Sequence, residues 1–321
     1  MNVSIFIPTG NRALSLDKTL LSLTKQAYKN FEVIVVDYKS SDNTESVIKK
    51  YSKKLRITVL RQKTKGLAKA ANQALKQARG KIFIRTDDDV VMSKGWLLAI
   101  CDTFSKHKDV GGVTGPTVIP AAFRKNRDLF IIEERFKKGN MLWKLIGSLY
   151  FGYFMEGQPR RVSHWFNSGA FGLGSNFPQS KREPFQEVSN LEACNFSVRT
   201  ALLKKIGGFD AFYSGVGEYH EPDAAFKIKE LGYSLIFNPK AALNHCPSKQ
   251  GFYNDRPESY SRMINFIVFY RRHIKLDSVR KCLHFIPYVL LLNTYYVYTA
   301  LKTKQLKQFG AIPGTIMGFL K

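Results

Sequence analysis

Acidic residues are scarce in this chain: 25 Asp and Glu stand against 50 Lys and Arg over 321 residues, a formal charge of +25 at pH 7. Such an excess favours an anionic partner (nucleic acid, a nucleotide or an acidic membrane surface) or else marks a generally solvated basic face. Cysteine is scarce too. Cys101, Cys194, Cys246 and Cys282 lie far apart with no zinc-like spacing, which excludes a disulfide-stapled scaffold and fits reduced thiols in a cytosolic setting. No leader is expected, because the N-terminus runs at once into a strand-like Val3 to Ile7. No apolar run reaches the ~20 residues that a spanning helix needs. Internal repeats and low-complexity tracts are also missing, which removes solenoids and disordered linkers from consideration. What remains is ordinary for a folded protein: 44% hydrophobic and 23% charged residues, with length for one large domain or two.

The first hundred residues alternate strand and helix. Val3 to Ile7 predicts a strand, and Leu16, Leu20 and Leu23 fall on one face of a following helix. Phe31 to Val36 is an apolar run of buried-strand type ending at Asp37. Asp42 and Glu45 predict a capping box for a helix carrying Val47, Ile48 and Tyr51. Leu55 to Leu60 predicts a third strand, Gly66 to Ala78 an alanine-rich helix stopped by Gly80 at its C′ position, and Ile82 to Ile84 a fourth strand. This order predicts an α/β fold with a mostly parallel sheet covered on both faces, whose ligands bind beyond the carboxyl ends of the strands. Thr9 to Arg12, Asp37 and Asp87 to Asp89 all follow strand ends, so one crevice can hold them all. From about Pro120 to Asn190 the pattern is irregular and rich in aromatics, glycine and basic residues.

The triplet Asp87-Asp88-Asp89 follows the apolar run Lys81 to Arg85. Three adjacent like charges at a strand end form the oxygen-rich surface that a hard divalent cation prefers, and a cation there can neutralise a diphosphate. A polar turn capping the next helix is the plain alternative.

Together these pieces resemble the family-2 glycosyltransferases, inverting enzymes of GT-A fold that use nucleotide-sugar donors. The family's opening Pro-Thr-Tyr-Asn-Arg is matched by Pro8-Thr9-Gly10-Asn11-Arg12, its Val-Asp-Asp-Gly-Ser-x-Asp by Val36 to Asp42, and its Gly-x-x-x-Ala-Arg-Asn by Gly66 to Asn72. Its Asp-x-Asp is Asp87 to Asp89, and the resemblance resumes at Asn195 to Arg199, Ile206 to Asp210, His220 to Asp223 and His245. Gly10 replaces the usual tyrosine and Ala71 an arginine that often contacts the donor diphosphate, a charge that Lys65 or Lys69 can supply.

The resemblance, which covers roughly residues 3 to 245, implies a Rossmann-like GT-A sheet, and the residues after it read as a basic C-terminal helical tail. Residues 1–100 form the nucleotide-sugar-binding half, 101–250 the acceptor-binding and catalytic half, and 251–321 a helical, membrane-associating segment. Pro8, Thr9, Arg12, Asp37, Lys65, Gly66, Asn72, Asp87 and Asp88 are the implied donor contacts, with Asp37 on the nucleobase and Asp88 otherwise a spacer. A carboxylate accepts from an imide N–H such as uracil's, so a UDP-sugar donor is expected. Asp87, Asp89 and His245 are the implied ligands of Mn2+ or Mg2+, although a lone histidine is as often structural. An inverting transfer needs a base to take the acceptor hydroxyl's proton. Glu221 stands at the matching position, with Asp223 beside it as second carboxylate or plain helix cap.

Phe285 to Leu301 is apolar but interrupted by Pro287 and Asn293 and flanked by Arg280, Lys281, Lys302, Lys304 and Lys307. Positive charge on both sides predicts a segment lying in a membrane interface, with Met141 to Met155 as a second contact; a buried core helix is the rival reading. The expected protein is therefore a metal-dependent enzyme moving a sugar to a glycan acceptor, polyprenyl- or dolichyl-phosphate-linked or on the cell surface, peripheral on the cytoplasmic face of an anionic membrane. The rivals are a nucleic-acid-binding module and a non-catalytic relative. The first requires a recognised basic-aromatic module, which the sequence lacks, so no nucleic-acid partner is expected.

Overall fold

The structure, a computed structural model, describes residues 2–126, 128–213, 218–247 and 258–321. The first residues of the segment predicted from 251 lie outside this set. Strands β1 (Val3–Thr9), β2 (Phe31–Asp37), β3 (Ile57–Arg61) and β4 (Ile82–Arg85) alternate with helices α1 (Ala13–Thr24), α2 (Thr44–Ser52) and α3 (Leu67–Gln77). There follow β5 (Val90–Met92), α4 (Trp96–Lys106), β6 (Val110–Thr114), β7 (Thr117–Val118), α5 (Asp128–Lys138) and α6 (Met141–Ser148). Next come β8 (Gln186–Glu187), β9 (Phe196–Arg199), α7 (Thr200–Lys205), α8 (His220–Glu230), β10 (Ser234–Phe237) and β11 (Leu243–His245). The chain closes with α9 (Tyr260–Phe269), α10 (Val279–Thr303) and α11 (Ala311–Leu320).

Among the described residues one sheet runs β3-β2-β1-β4-β9-β6-β10-β8, and a small second sheet runs β5-β11-β7. The β1–β2, β1–β4, β2–β3 and β6–β10 pairs are parallel, whereas β9 runs antiparallel to both β4 and β6. The near-continuous apolar runs of β1 and β2 are what a two-sided sheet requires. One set of side chains (Ile5, Ile7, Val33, Val35) packs under α1, α2 and α4. The alternate set (Phe6, Ile34, Val36, Phe83) packs under α3 and α8. A third apolar cluster joins Phe154, Phe166, Phe266, Tyr270 and Phe285 and mounts the C-terminal helices on the domain.

Three expectations need correction. Asp42 does not form a capping box with Glu45: its carboxylate accepts from the N–H groups of Ala13 and Thr44, tying α1 to α2, while Glu45 pairs with Lys49 and Arg61. Gly80 is not a helix C′ residue. α3 ends in the extended Ala78, and Gly80 instead lies against β1, where a Cβ would come within 2.5 Å of Ser4 N and the Val3 carbonyl carbon. The segment 128–154 is helical rather than irregular. In α5 the i,i+4 pairs Glu133–Lys137 and Glu134–Lys138 support the helix, and Asn140 caps α6 by accepting from the Trp143 N–H.

The contact at Gly80 gives a direct test. Gly80→Ala should lower stability by roughly 1–3 kcal/mol in urea denaturation, as overpacking against backbone does. Gly95→Ala, whose Cβ meets nothing within 4 Å, should change it little.

Candidate active site

A cavity of about 540 Å³ opens where the carboxyl ends of β1 and β4 meet the first turn of α8. Pro8, Thr9 and Arg12 line it from β1, Arg85 to Asp89 from β4 (Thr86 excepted), and Glu221 from α8. His245 arrives through the small sheet. In the β5–β11 ladder it faces Val90, and the Cys246 N–H donates to the Asp89 carbonyl at 2.8 Å. The α1 hydroxyl of Thr19 donates to the Asp88 and Val90 carbonyls and holds the aspartate turn from behind.

The three aspartates have separate surroundings. Asp88 is buried; Thr9 Oγ1 donates to its Oδ2 at 2.7 Å and the Arg12 guanidinium meets its Oδ1 at 2.9 Å. Asp89 takes the other arm of Arg12 and lies 3.3 Å from His245 Nε2. Asp87 is the most open and pairs with Arg85 at 2.8 Å. Burial pushes the Asp88 carboxyl up to about 7, with the Arg12 charge opposing and Asp89 adding repulsion. Burial would raise Asp89 too, but His245 and Arg12 reverse the sign and hold it well below the usual carboxylate range.

Asp87, Asp89 and His245 each offer one ligand atom, all within 4.8 Å of one another. Asp89 Oδ1 is buried and, among the described residues, accepts no well-aligned hydrogen bond, its recorded contact being the ion pair with His245 Nε2 at 3.3 Å. Two carboxylates and an imidazole, with that under-satisfied oxygen among them, fit a divalent cation such as Mn2+ or Mg2+.

Arg85 is the residue that sequence reasoning missed. It is 4% exposed, and its guanidinium reaches Asp87, Glu221 Oε1 at 3.2 Å and the Ala193 carbonyl at 2.7 Å. Burial disfavours its charge, and Asp87 and Glu221 more than offset that, so its pKa is raised. A cation ending an otherwise apolar strand was the available signal. Glu221 is further held by His220 Nδ1, 3.1 Å from Oε2.

Other predicted residues stand apart. Asp223 is fully buried outside the cavity wall, where Tyr213 Oη, Lys227 Nζ and His273 Nε2 surround its carboxylate at 3.1, 2.7 and 2.8 Å. Burial would raise its pKa, but His273 and Lys227 bring it below the ordinary value. Asp37 lies beside Thr9 in the β1–β2 register and is held by Arg61 and Ser40. Asn72 clamps the Phe209 backbone, its amide donating to the carbonyl at 2.7 Å and accepting from the N–H at 2.8 Å. Gly66, at φ +145°, starts α3, and Leu67 rather than Lys65 reaches the cavity.

The sequence model described as Glycosyl transferase family 2 matches residues 4–166, half of the chain. The chain belongs to glycosyl transferase family 2. Over 135 residues it is 35% identical to the poly(ribitol-phosphate) beta-N-acetylglucosaminyltransferase TarS of Staphylococcus aureus, covering 39% of this chain and 24% of TarS. Over 94 residues it is 35% identical to the UDP-Glc:alpha-D-GlcNAc-diphosphoundecaprenol beta-1,3-glucosyltransferase WfgD of Escherichia coli, covering 29% of this chain and 37% of WfgD. These matches thus span only a quarter to two fifths of the curated relatives. Among solved structures, TarS 1–349 in complex with UDP-GlcNAc superposes with a TM-score of 0.60 at 20% identity, over 99% of this chain and 81% of that one. The mannosyltransferase PcManGT from Pyrobaculum calidifontis, in complex with GDP-Man and Mn2+, gives 0.57 at 17%, over 98% and 87%. At these identities the superpositions establish the GT-A fold of this family-2 member.

Asp223→Ala would leave the buried His273 without its anion and the partly exposed Lys227 without its closer one. Breaking such a cluster should cost ~3–5 kcal/mol in denaturant unfolding. Asp109→Ala, on an exposed turn, serves as the control expected to stay near wild type.

Proposed function

We propose that this family-2 glycosyltransferase moves a sugar from a UDP-sugar to an acceptor hydroxyl, with inversion and with a divalent cation. One observation carries the reading: a metal-type trio, Asp87, Asp89 and His245, shares a cavity with the carboxylate of Glu221, which Arg85 ties to Asp87.

Asp87, Asp89 and His245 would hold the cation, which when bound would supply charge neutralisation for a diphosphate leaving group. Glu221 takes the proton of the acceptor hydroxyl as that oxygen attacks the anomeric carbon from the face opposite the diphosphate. Arg85 and His220 fix the Glu221 carboxylate, so the base is oriented before the acceptor arrives. Arg12 holds Asp88 and Asp89 together and keeps the aspartate turn in register with Thr9. The nucleobase is assigned to the β1–β2 end, where uracil's imide N–H would take Asp37 from Arg61 and Ser40. The UDP preference is supported by the TarS complex with UDP-GlcNAc. WfgD, named for an undecaprenol-linked acceptor, supports a lipid-linked glycan as acceptor here.

Membrane association belongs to the same reading. No helix among the described residues is long and apolar enough to cross a membrane. α10 buries Phe285, Tyr288 and Val289 yet exposes Val279, Leu283, Ile286 and Leu290. α6 and the π-helical turn after it, Leu149–Phe154, expose Met141, Leu142, Leu145 and Leu149. The two are joined where Tyr153 Oη donates to the Leu283 carbonyl at 3.0 Å and its ring stacks on His284. Exposed Lys144, Arg280, Lys302, Lys304 and Lys307 on the same elements and the following turn suit anionic headgroups, each worth ~1 kcal/mol near the surface.

Four measurements test this. With Mn2+ present, UDP-sugars rather than GDP-sugars should raise the melting temperature, and excess EDTA should abolish transfer. Glu221→Gln should lower kcat by ~10²–10⁴ with donor affinity kept; an active Glu221→Gln enzyme removes the base assignment. Separately, the protein should sediment with phosphatidylserine vesicles and release as salt rises. Leu283→Glu with Leu290→Glu should weaken that binding while the fold persists; sedimentation indifferent to both would remove the membrane.

A further inference from the structure

We propose that the cavity contains a subsite for one neutral pyranose ring, walled by Trp165 and Tyr219 and hydrogen-bonded by the Trp165 indole N–H and the Asn190 side-chain oxygen. It rests on the preceding assignment of Glu221 as the base and adds what the acceptor end must be: a sugar hydroxyl rather than a phosphate.

Trp165, Phe171, Asn190 and Tyr219 all line the cavity that holds Glu221. The Trp165 ring is fixed from three sides, with ring centroids 4.9 Å from Phe171, 5.0 Å from Phe269 and 6.0 Å from Tyr219. Its backbone is pinned by the bridge to Phe171 and by a 2.9 Å hydrogen bond to Ser189 Oγ. Tyr219 has φ +82°, a left-handed conformation costly for a bulky residue, immediately before the first turn of α8. That strain is held two residues from Glu221, at the junction of wall and base.

Two polar atoms in this wall have nothing to bind. Among the described residues, Trp165 Nε1 is a buried donor without an acceptor, and Asn190 Oδ1, on a residue 3% exposed, is a buried acceptor without a donor. Buried polar groups are ordinarily satisfied, so one unmet donor and one unmet acceptor in a single cavity point to a ligand that offers both. A sugar hydroxyl does, and the C–H face of a pyranose packs on aromatic rings. An anionic acceptor is disfavoured. Arg262, which also lines the cavity, is bonded to Glu218 Oε2 at 2.9 Å, and the Asn190 oxygen would face a phosphate oxygen.

The test is saturation-transfer NMR on the full chain with UDP and Mn2+, using the methyl β-glycosides of glucose, galactose, N-acetylglucosamine and N-acetylgalactosamine. At least one glycoside should receive saturation at its ring protons. Trp165→Ala should weaken that binding by roughly tenfold. Trp165→Phe, which keeps the wall but loses the N–H, and Asn190→Ala should fall between, and they carry the test if Trp165→Ala does not fold. Trp143→Ala, away from the cavity, should match wild type, and UDP affinity should be unchanged in every variant. The proposal is overturned if no glycoside contacts the wild-type protein, if Trp165→Ala and Trp165→Phe bind as wild type does, or if they lose UDP, which would place the tryptophan on the donor. Failure of the wild-type protein to bind UDP would instead remove the donor reading, while the glycoside signals would still decide this one.

Discussion

Four of the six carboxylates that line one cavity crowd together at its strand-end wall, and two arginines make that tolerable. Asp87, Asp88, Asp89 and Glu221 would repel one another strongly in a site mostly shielded from water. Arg12 spans Asp88 and Asp89; Arg85 spans Asp87 and Glu221. Each arginine comes from a different strand end, so the charge balance also fixes how β1, β4 and α8 meet. The remaining asymmetry is chemical. Asp88 is the aspartate pushed towards neutrality by burial, while Asp89 is kept charged by His245 and Arg12.

The fold delivers these groups by ordinary means. The parallel strands end together, as they must in a doubly covered sheet, and the antiparallel β9 is inserted between β4 and β6. That insertion carries the Ala193 carbonyl to Arg85 and the Asn195 amide to Trp96 and Ala241, locking the rear of the cavity. The short β5–β11 ladder brings a histidine from residue 245 to an aspartate at 89. Asp223, on the first turn of α8, faces away and binds His273, coupling the helix that bears Glu221 to the C-terminal helices. The acidic pair at the start of α8 thus divides: one member faces the cavity and the other anchors its helix.

The C-terminal helices bear out the core-helix reading on one side of α10 only. α10 is a core helix along Phe285, Tyr288 and Val289 and an exposed apolar face along Leu283, Ile286 and Leu290. One helix does both because 3.6 residues per turn place the two sets on different sides. In sequence they merge into one apolar run.

The sequence by itself determined the alternation of strands and helices, the mostly parallel sheet, and the convergence of Thr9, Arg12 and Asp87 to Asp89 on one crevice, whereas Asp37, expected in the same crevice, is not among the residues that line it. Local periodicity and turn chemistry are short-range properties, and strand ends in such a sheet are forced to converge. Tertiary structure alone decided which carboxylate faces the cavity, that Asn72 clamps backbone, that Gly80 is required by contact with β1, and that Arg85 joins Asp87 to Glu221. It alone brought Trp165 and Asn190 into the same wall. These are matters of orientation and of pairing between residues distant in the chain. A helix start with Glu221 and Asp223 two residues apart reads the same whichever side turns inward, and only the packing of α8 between the sheet and α9 settles it.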